Sequence, residues 1–328
     1  MNSSILNPFK KNSSSKLYNN ITTIQKSKKC TYDDLSDEDQ LEFYYPKKKI
    51  DKDLLKDEDF NNNYIIVEKF KNKIDKGVFL VKNKISDEMF ICKAKKKIKY
   101  NEEELKIIDK LLYVRSNRIS NYYKFADINN IKYILLEYIH GETLTEYSKK
   151  LNSSNIKTIM EGCIKSLIFF HSLGFIHCDI KPDNFIVNEK DNNTVQIHLI
   201  DFDLSISKET VFESLFGTEN FIPPECYDYG LFCKKSDVWS LGVVFFFLLT
   251  KQKITYSNMF IKNSGSNLFR YNSFKHLNYD LIKNSEFYDL ILKMTRFNRE
   301  NRLSSDECLK EFEKIIEHSD TKHNDLHR

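Results

Sequence analysis

His177-Cys178-Asp179-Ile180-Lys181-Pro182-Asp183-Asn184-Phe185 is the stretch that decides the reading of this chain. It sets an acidic residue, a lysine two positions on and an asparagine three further on in one short segment. An aspartate can orient and deprotonate an attacking hydroxyl, a lysine can neutralise the γ-phosphate as it leaves ATP, and an asparagine can offer a neutral oxygen to Mg²⁺. Asp179 and Lys181 are therefore the catalytic candidates and Asn184 a metal ligand. An H-x-D-x-x-x-x-N string can arise by chance, so its companions carry the decision.

After it come Phe185-Ile186-Val187, a polar break at Asp191-Asn192-Asn193, and Val195, Ile197 and Leu199 alternating with Gln196 and His198. This period-two pattern predicts two strands joined by a turn. The second strand runs out into Ile200-Asp201-Phe202-Asp203, which places Asp201 where a strand emerges into a loop, seventeen positions after Asn184. Further on stand Gly217-Thr218-Glu219-Asn220-Phe221-Ile222-Pro223-Pro224-Glu225, then Ser236-Asp237-Val238-Trp239-Ser240-Leu241-Gly242, then Arg302. In this order the strings resemble the catalytic loop, the metal-binding D-F-G motif, the end of the activation segment (Pro-Pro-Glu for A-P-E) and the following buried helix of eukaryotic protein kinases. Lys181 is the form typical of the serine/threonine branch.

The resemblance covers about Asn63 to Ile316. It implies an α+β, bilobal protein kinase fold, with a small β-rich N-lobe (about 63–138) holding one key helix and a larger, mainly helical C-lobe (about 140–316). It further implies ATP with Mg²⁺ (or Mn²⁺) as cofactors, Asn184 and Asp201 as the metal ligands, and protein substrates bearing serine or threonine. Thr218 would fix the substrate loop, Asp237 brace the catalytic loop, and Glu225 pair with Arg302 in the interior. Phe90-Ile91-Cys92-Lys93 resembles the strand whose lysine holds the α- and β-phosphates, and Tyr133 to Ile139 the strand leading into the connector between lobes. Leu136 would then guard the back of the pocket, and the backbone from Glu137 to Ile139 would meet adenine. Phe70, Lys71, Lys73, Val78, Ile91 and Ile186 complete the implied ATP site.

Four departures from the family pattern carry expectations. Counting back from Lys93, the glycine positions of the phosphate-binding loop become Lys71, Lys73 and Lys76, with Gly77 one place out of register. Glycine lets a backbone approach phosphate closely, so this predicts weakened, not abolished, ATP affinity, with lysine charge as a partial offset. The carboxylate expected to pair with Lys93 is Glu104, ahead of an apolar stripe, at a shorter gap than usual. Glu102 and Glu103 are alternatives in the same turn, and read as solvated first-turn charges. Asp203 stands for the family glycine, which predicts a stiffer motif that still binds metal. Cys178 replaces an arginine that would grip a phosphorylated activation segment, so activity is expected not to depend on phosphate at Ser205, Ser207, Thr210 or Ser214.

The 328 residues suffice for a bilobal domain with a tail. Residues 1–62 are rich in Asn, Ser, Lys and Asp and predict a disordered tail, and 317–328 a polar end. A net charge of +4 is too mild to argue for nucleic acid. Val243 to Leu249 is too short to span a bilayer and reads as a core helix, and Lys95-Lys96-Lys97 reads as loop. The 7 cysteines show no zinc or C-x-x-C spacing, which points to reduced thiols in cytoplasm or nucleus. Two rivals stay open: a pseudokinase scaffold, favoured by the lost glycines, Asp203 and Cys178, and a small-molecule kinase, disfavoured by the Pro-Pro-Glu segment and the Trp239 motif.

Overall fold

The computed structural model describes residues 62–73, 76–96, 102–128, 131–152, 155–190, 194–251, 260–262 and 275–325. Most of the expected tail, 1–61, lies outside them.

Five antiparallel strands form the amino-terminal sheet in the order β1-β2-β3-β5-β4: β1 (Tyr64–Lys73), β2 (Lys76–Asn83), β3 (Met89–Lys96), β4 (Tyr122–Ile128) and β5 (Ile131–Glu137). Alternation decides its faces. Val81, Phe90, Cys92, Ala126 and Leu135 turn to one side and bury together with Tyr64. Helix α1 (Glu102–Leu111) lies between β3 and β4 in the chain. Its Ile107, Ile108 and Leu111 are buried at helical spacing and join the main core of the molecule. Lys95 and Lys96, expected in a loop, are instead the last residues of β3.

A second sheet, β6-β7-β8, carries the chemistry: β6 (Glu142–Thr143), β7 (Phe185–Glu189) and β8 (Val195–Leu199), with Phe185 opposite Leu199 and Val187 opposite Ile197. The strand pair read from the alternating residues is present, and its connecting residues 191–193 lie outside those described. Two-stranded pairings join β9 (Thr210–Val211) to β10 (Leu231–Phe232) and β11 (Phe260–Lys262) to β12 (Lys275–Leu277).

The helical part contains α2 (Leu144–Tyr147), α3 (Ile156–Ser172), α4 (Pro224–Tyr229), α5 (Lys234–Thr250), α6 (Tyr288–Met294) and α7 (Ser305–Asp325). Helix α3 presents Ile159, Met160, Cys163, Leu167 and Phe170 to the core and ends as Gly174 turns left-handed, at φ 86°. Helix α5 is buried on every side from Ser236 to Leu248, with an unbroken apolar run from Val243 to Leu248, as a central helix requires. Helix α7 continues to Asp325, past Ile316 where the domain was expected to stop. No described helix is long and apolar enough to cross a membrane.

One buried group sets a pH limit. The His198 ring in β8 makes no well-formed hydrogen bond, and burial pushes its pKa down to about 4, the Ile119 backbone offsetting only part of this. The unfolded chain therefore binds the proton first, near pH 6.5. Stability is full above that value and declines as pH falls to about 4, by about 3 kcal/mol from this group. Denaturant melts from pH 7 to pH 4 should show this loss, and His198→Met should remove that share of it.

Candidate active site

The loop between α3 and β7 is built around a buried aspartate. Asp237, in the first turn of α5, accepts the His177 N–H at 2.7 Å on one oxygen and the Cys178 N–H at 2.9 Å on the other. His171 Nε2 meets the first of these oxygens at 2.9 Å, while its Nδ1 meets Ser305 Oγ. These contacts hold Cys178 at φ 65°, a conformation that disfavours a side chain. The Cys178 thiol lies in an apolar cluster with Ile176, Ile206, Ile222 and Cys226, and burial drives its pKa well above the usual thiol value. Cys178 is thus a packing residue, inert as a thiolate.

Three side chains converge on Asp179. Thr218 Oγ1 donates to Asp179 Oδ1 at 2.7 Å and accepts from Lys181 Nζ at 2.9 Å. Lys181 Nζ donates to Asp179 Oδ2 at 2.5 Å, and Asn184 Nδ2 donates to the Asp179 carbonyl at 2.8 Å and to Oδ2 at 3.2 Å. Thr218 can reach because Gly217 turns at φ 99°, where an added Cβ would stand 3.0 Å from the Cys178 carbonyl. The string His177–Phe185 and the remote Gly217-Thr218 therefore close into one constellation.

Behind it, aromatic contacts fix the Asp201-Phe202-Asp203 segment. The Phe202 ring stacks on Phe170 at 4.6 Å and on Tyr122 at 5.9 Å, with His177 edge-on at 5.7 Å. His177 Nε2 also reaches the Ile200 carbonyl at 3.0 Å. With Phe202 anchored, Asp201 takes φ 67°, so the left-handed residue of this motif is Asp201 and not Asp203, which stands at the family's glycine position.

Glu104 does not pair with Lys93. Lys93 Nζ bonds Asp201 Oδ1 at 2.5 Å and Asp203 Oδ1 at 3.0 Å, whereas both Glu104 oxygens accept from Lys95 Nζ at 3.0 Å. The reason is chain length. Lys93 and Lys95 share one face of β3, and Glu104, in the first turn after a short connection, arrives opposite the end of the strand. Burial alone would lower the Lys93 pKa, but Asp203 and then Asp201 more than reverse this and hold it well above the ordinary lysine value. Glu103, expected to be solvated, is half-buried and accepts both the backbone N–H and the hydroxyl of Ser207, and the hydroxyl bond holds its pKa below the usual carboxylate value. Ser205 is buried, with its hydroxyl toward the His177 carbonyl at 3.4 Å, so it is no open phosphate acceptor.

The remaining expected ATP residues are spread over the sheet and connector. Val78 faces Lys93 across β2 and β3, and Leu136 is buried opposite Ile91, which packs on the main core. The Glu137 N–H is donated to the Asn121 carbonyl at 2.8 Å, and its carboxylate accepts from Asn121 Nδ2 at 2.6 Å. Burial raises the Glu137 pKa despite that bond. Ile139 and Ile186 are half-buried. Phe70 is 47% exposed on β1. Lys71 pairs with Val78 and Lys73 with Lys76 in a tight hairpin whose tip, 74–75, and lysine side chains lie outside the described residues.

Glu225 and Arg302 form the buried pair that the sequence suggests. Arg302 Nη1 and Nη2 bond Glu225 Oε1 and Oε2 at 2.6 and 2.8 Å, and the arginine side chain is fully enclosed.

With this arrangement in view, comparison with known proteins places the chain. The protein kinase domain family matches residues 73–312, and the chain belongs to that family. It is 34% identical to Serine/threonine-protein kinase PrkC of Bacillus subtilis over 40% of this chain and 21% of that protein. It is 27% identical to Calcium-dependent protein kinase 27 of Arabidopsis thaliana over 69% of this chain and 49% of that protein. It is 26% identical to Putative serine/threonine-protein kinase R436 of Acanthamoeba polyphaga mimivirus, over 60% of this chain and 75% of the relative. The chain thus spans between a fifth and a half of the first two relatives.

Proposed function

We propose that this protein transfers the γ-phosphate of ATP to serine and threonine hydroxyls of protein substrates. The observation that carries the reading is the closed set Asp179–Lys181–Thr218–Asn184 on a loop braced by Asp237. A hydroxyl brought to Asp179 is oriented and loses its proton to that carboxylate as it attacks. Lys181, already on Asp179 and Thr218, neutralises charge growing on the transferred group. Lys93 presents its ammonium to the α- and β-phosphates, and the Glu137–Ile139 backbone meets adenine. Asn184 and Asp201 offer one neutral and one charged oxygen donor, a set that fits a hard cation sharing its remaining positions with water and phosphate. These two residues would hold Mg²⁺ or Mn²⁺, and such a cation, when bound, offsets phosphate charge.

The reading is of a cytoplasmic or nuclear protein, supported by six buried free thiols among the described residues. Its test is the identity of the acceptor. Incubation with γ-labelled ATP, Mg²⁺ and mixed protein substrate, followed by acid hydrolysis, should yield labelled phosphoserine and phosphothreonine. Label found only on phosphotyrosine or on a small molecule would contradict the reading.

A further inference from the structure

Two carboxylates reach the Lys93 ammonium, and they differ in setting. The Asp201 side chain is 37% exposed, whereas that of Asp203 is 13% exposed and lies beside the 11%-exposed Lys93. Helix α1 contributes neither, because Glu104 is spent on Lys95 through both oxygens. If Asp201 turns to a cation, as the proposed function requires, its hold on Lys93 is shared with a competing positive charge. The more enclosed carboxylate then has to keep the ammonium in place.

We infer that Asp203 is the positioning residue for Lys93, the role that Glu104 cannot fill from its place against Lys95. A residue that looks like the loss of a useful glycine thereby becomes part of the phosphate-binding apparatus. It holds the lysine from within the metal motif, so Lys93 and Asp201 are tied to the same short segment and do not wait on the position of α1. The inference builds on the phosphotransfer reading, but its contact can be tested apart from activity.

The experiment maps amine modification on the full chain by reductive methylation and mass spectrometry, in an Asp201→Asn background that removes the other carboxylate. Adding Asp203→Asn should raise the methylation rate of Lys93 about fivefold or more, and Asp203→Glu should keep it low. Adding Glu104→Gln should raise the rate at Lys95 and leave Lys93 protected. In the otherwise wild-type chain, Asp203→Asn should raise KM for ATP about tenfold while kcat falls less. Exposure of Lys93 by Glu104→Gln, or no change with Asp203→Asn, would overturn the assignment. A wild-type protein that transfers no phosphate yet shows the Asp203-dependent protection would sink the kinase reading and still support this one.

Discussion

Glu225→Gln should destabilise the folded protein by about 3–5 kcal/mol, the usual cost of removing one partner from a buried ion pair. Arg302 has no route to water. Besides Glu225, its guanidinium donates to the carbonyls of Arg296, Lys235 and Phe297 and lies over the Trp239 ring at 5.1 Å. Glutamine keeps the shape and one acceptor but leaves the charge uncompensated among dipoles. Ser236 Oγ, which donates to Glu225 Oε1 at 2.8 Å, loses part of its partner as well. For a domain of this size each kcal/mol moves Tm by roughly 2–4 °C, so a drop of about 6–20 °C is expected in a thermal melt. Glu225→Gln with Arg302→Met should recover part of it, because the second change removes the stranded charge. A melt unchanged by Glu225→Gln would show that the pair contributes little.

Asp179→Asn should lower the rate of phosphate transfer by about 10²–10⁴-fold while Tm stays close to wild type. The carboxylate has two tasks, to accept a proton and to hold Lys181 and Thr218 in line. Asparagine can accept hydrogen bonds from both at one oxygen, so the loop persists. It cannot take the proton, and it removes the negative charge that anchors Lys181. The loss should fall on kcat more than on KM for ATP, since the Asp179 carboxylate bonds Lys181, Thr218 and Asn184 while Lys93 bonds Asp201 and Asp203. A comparable loss in both, or a collapse in Tm, would assign Asp179 a structural role instead.

Much of this site is legible in the chain because its parts are local or have one geometric solution. Asp179, Lys181 and Asn184 lie on one short loop, and alternation at Val195, Ile197 and Leu199 fixes where Asp201 emerges. Arg302 and Glu225 pair because an enclosed guanidinium needs a carboxylate. The partner of Lys93 was not legible. Lys93, Lys95, Glu103, Glu104, Asp201 and Asp203 offer several charge-balanced pairings of nearly equal chemical merit. Which one forms depends on the length of the connection after β3 and on where Phe202 is pinned, both tertiary facts. Asp203 is visible as a carboxylate, but in the sequence it stands at a glycine position, where the change reads as one of backbone freedom before one of charge. Likewise, Glu103 looked solvated because nothing in its own helix shows that Ser207, over a hundred positions away, folds back onto it.

The most direct test of the central claim is the initial rate of γ-phosphate transfer from Mg-ATP to a mixed protein substrate, measured side by side for wild type and Asp179→Asn. Phosphoserine and phosphothreonine are expected from wild type, with a rate at least about a hundredfold lower from the variant. Equal transfer by both proteins would contradict it. So would wild type that binds nucleotide yet transfers nothing, the behaviour of a scaffold that keeps the kinase fold without its chemistry.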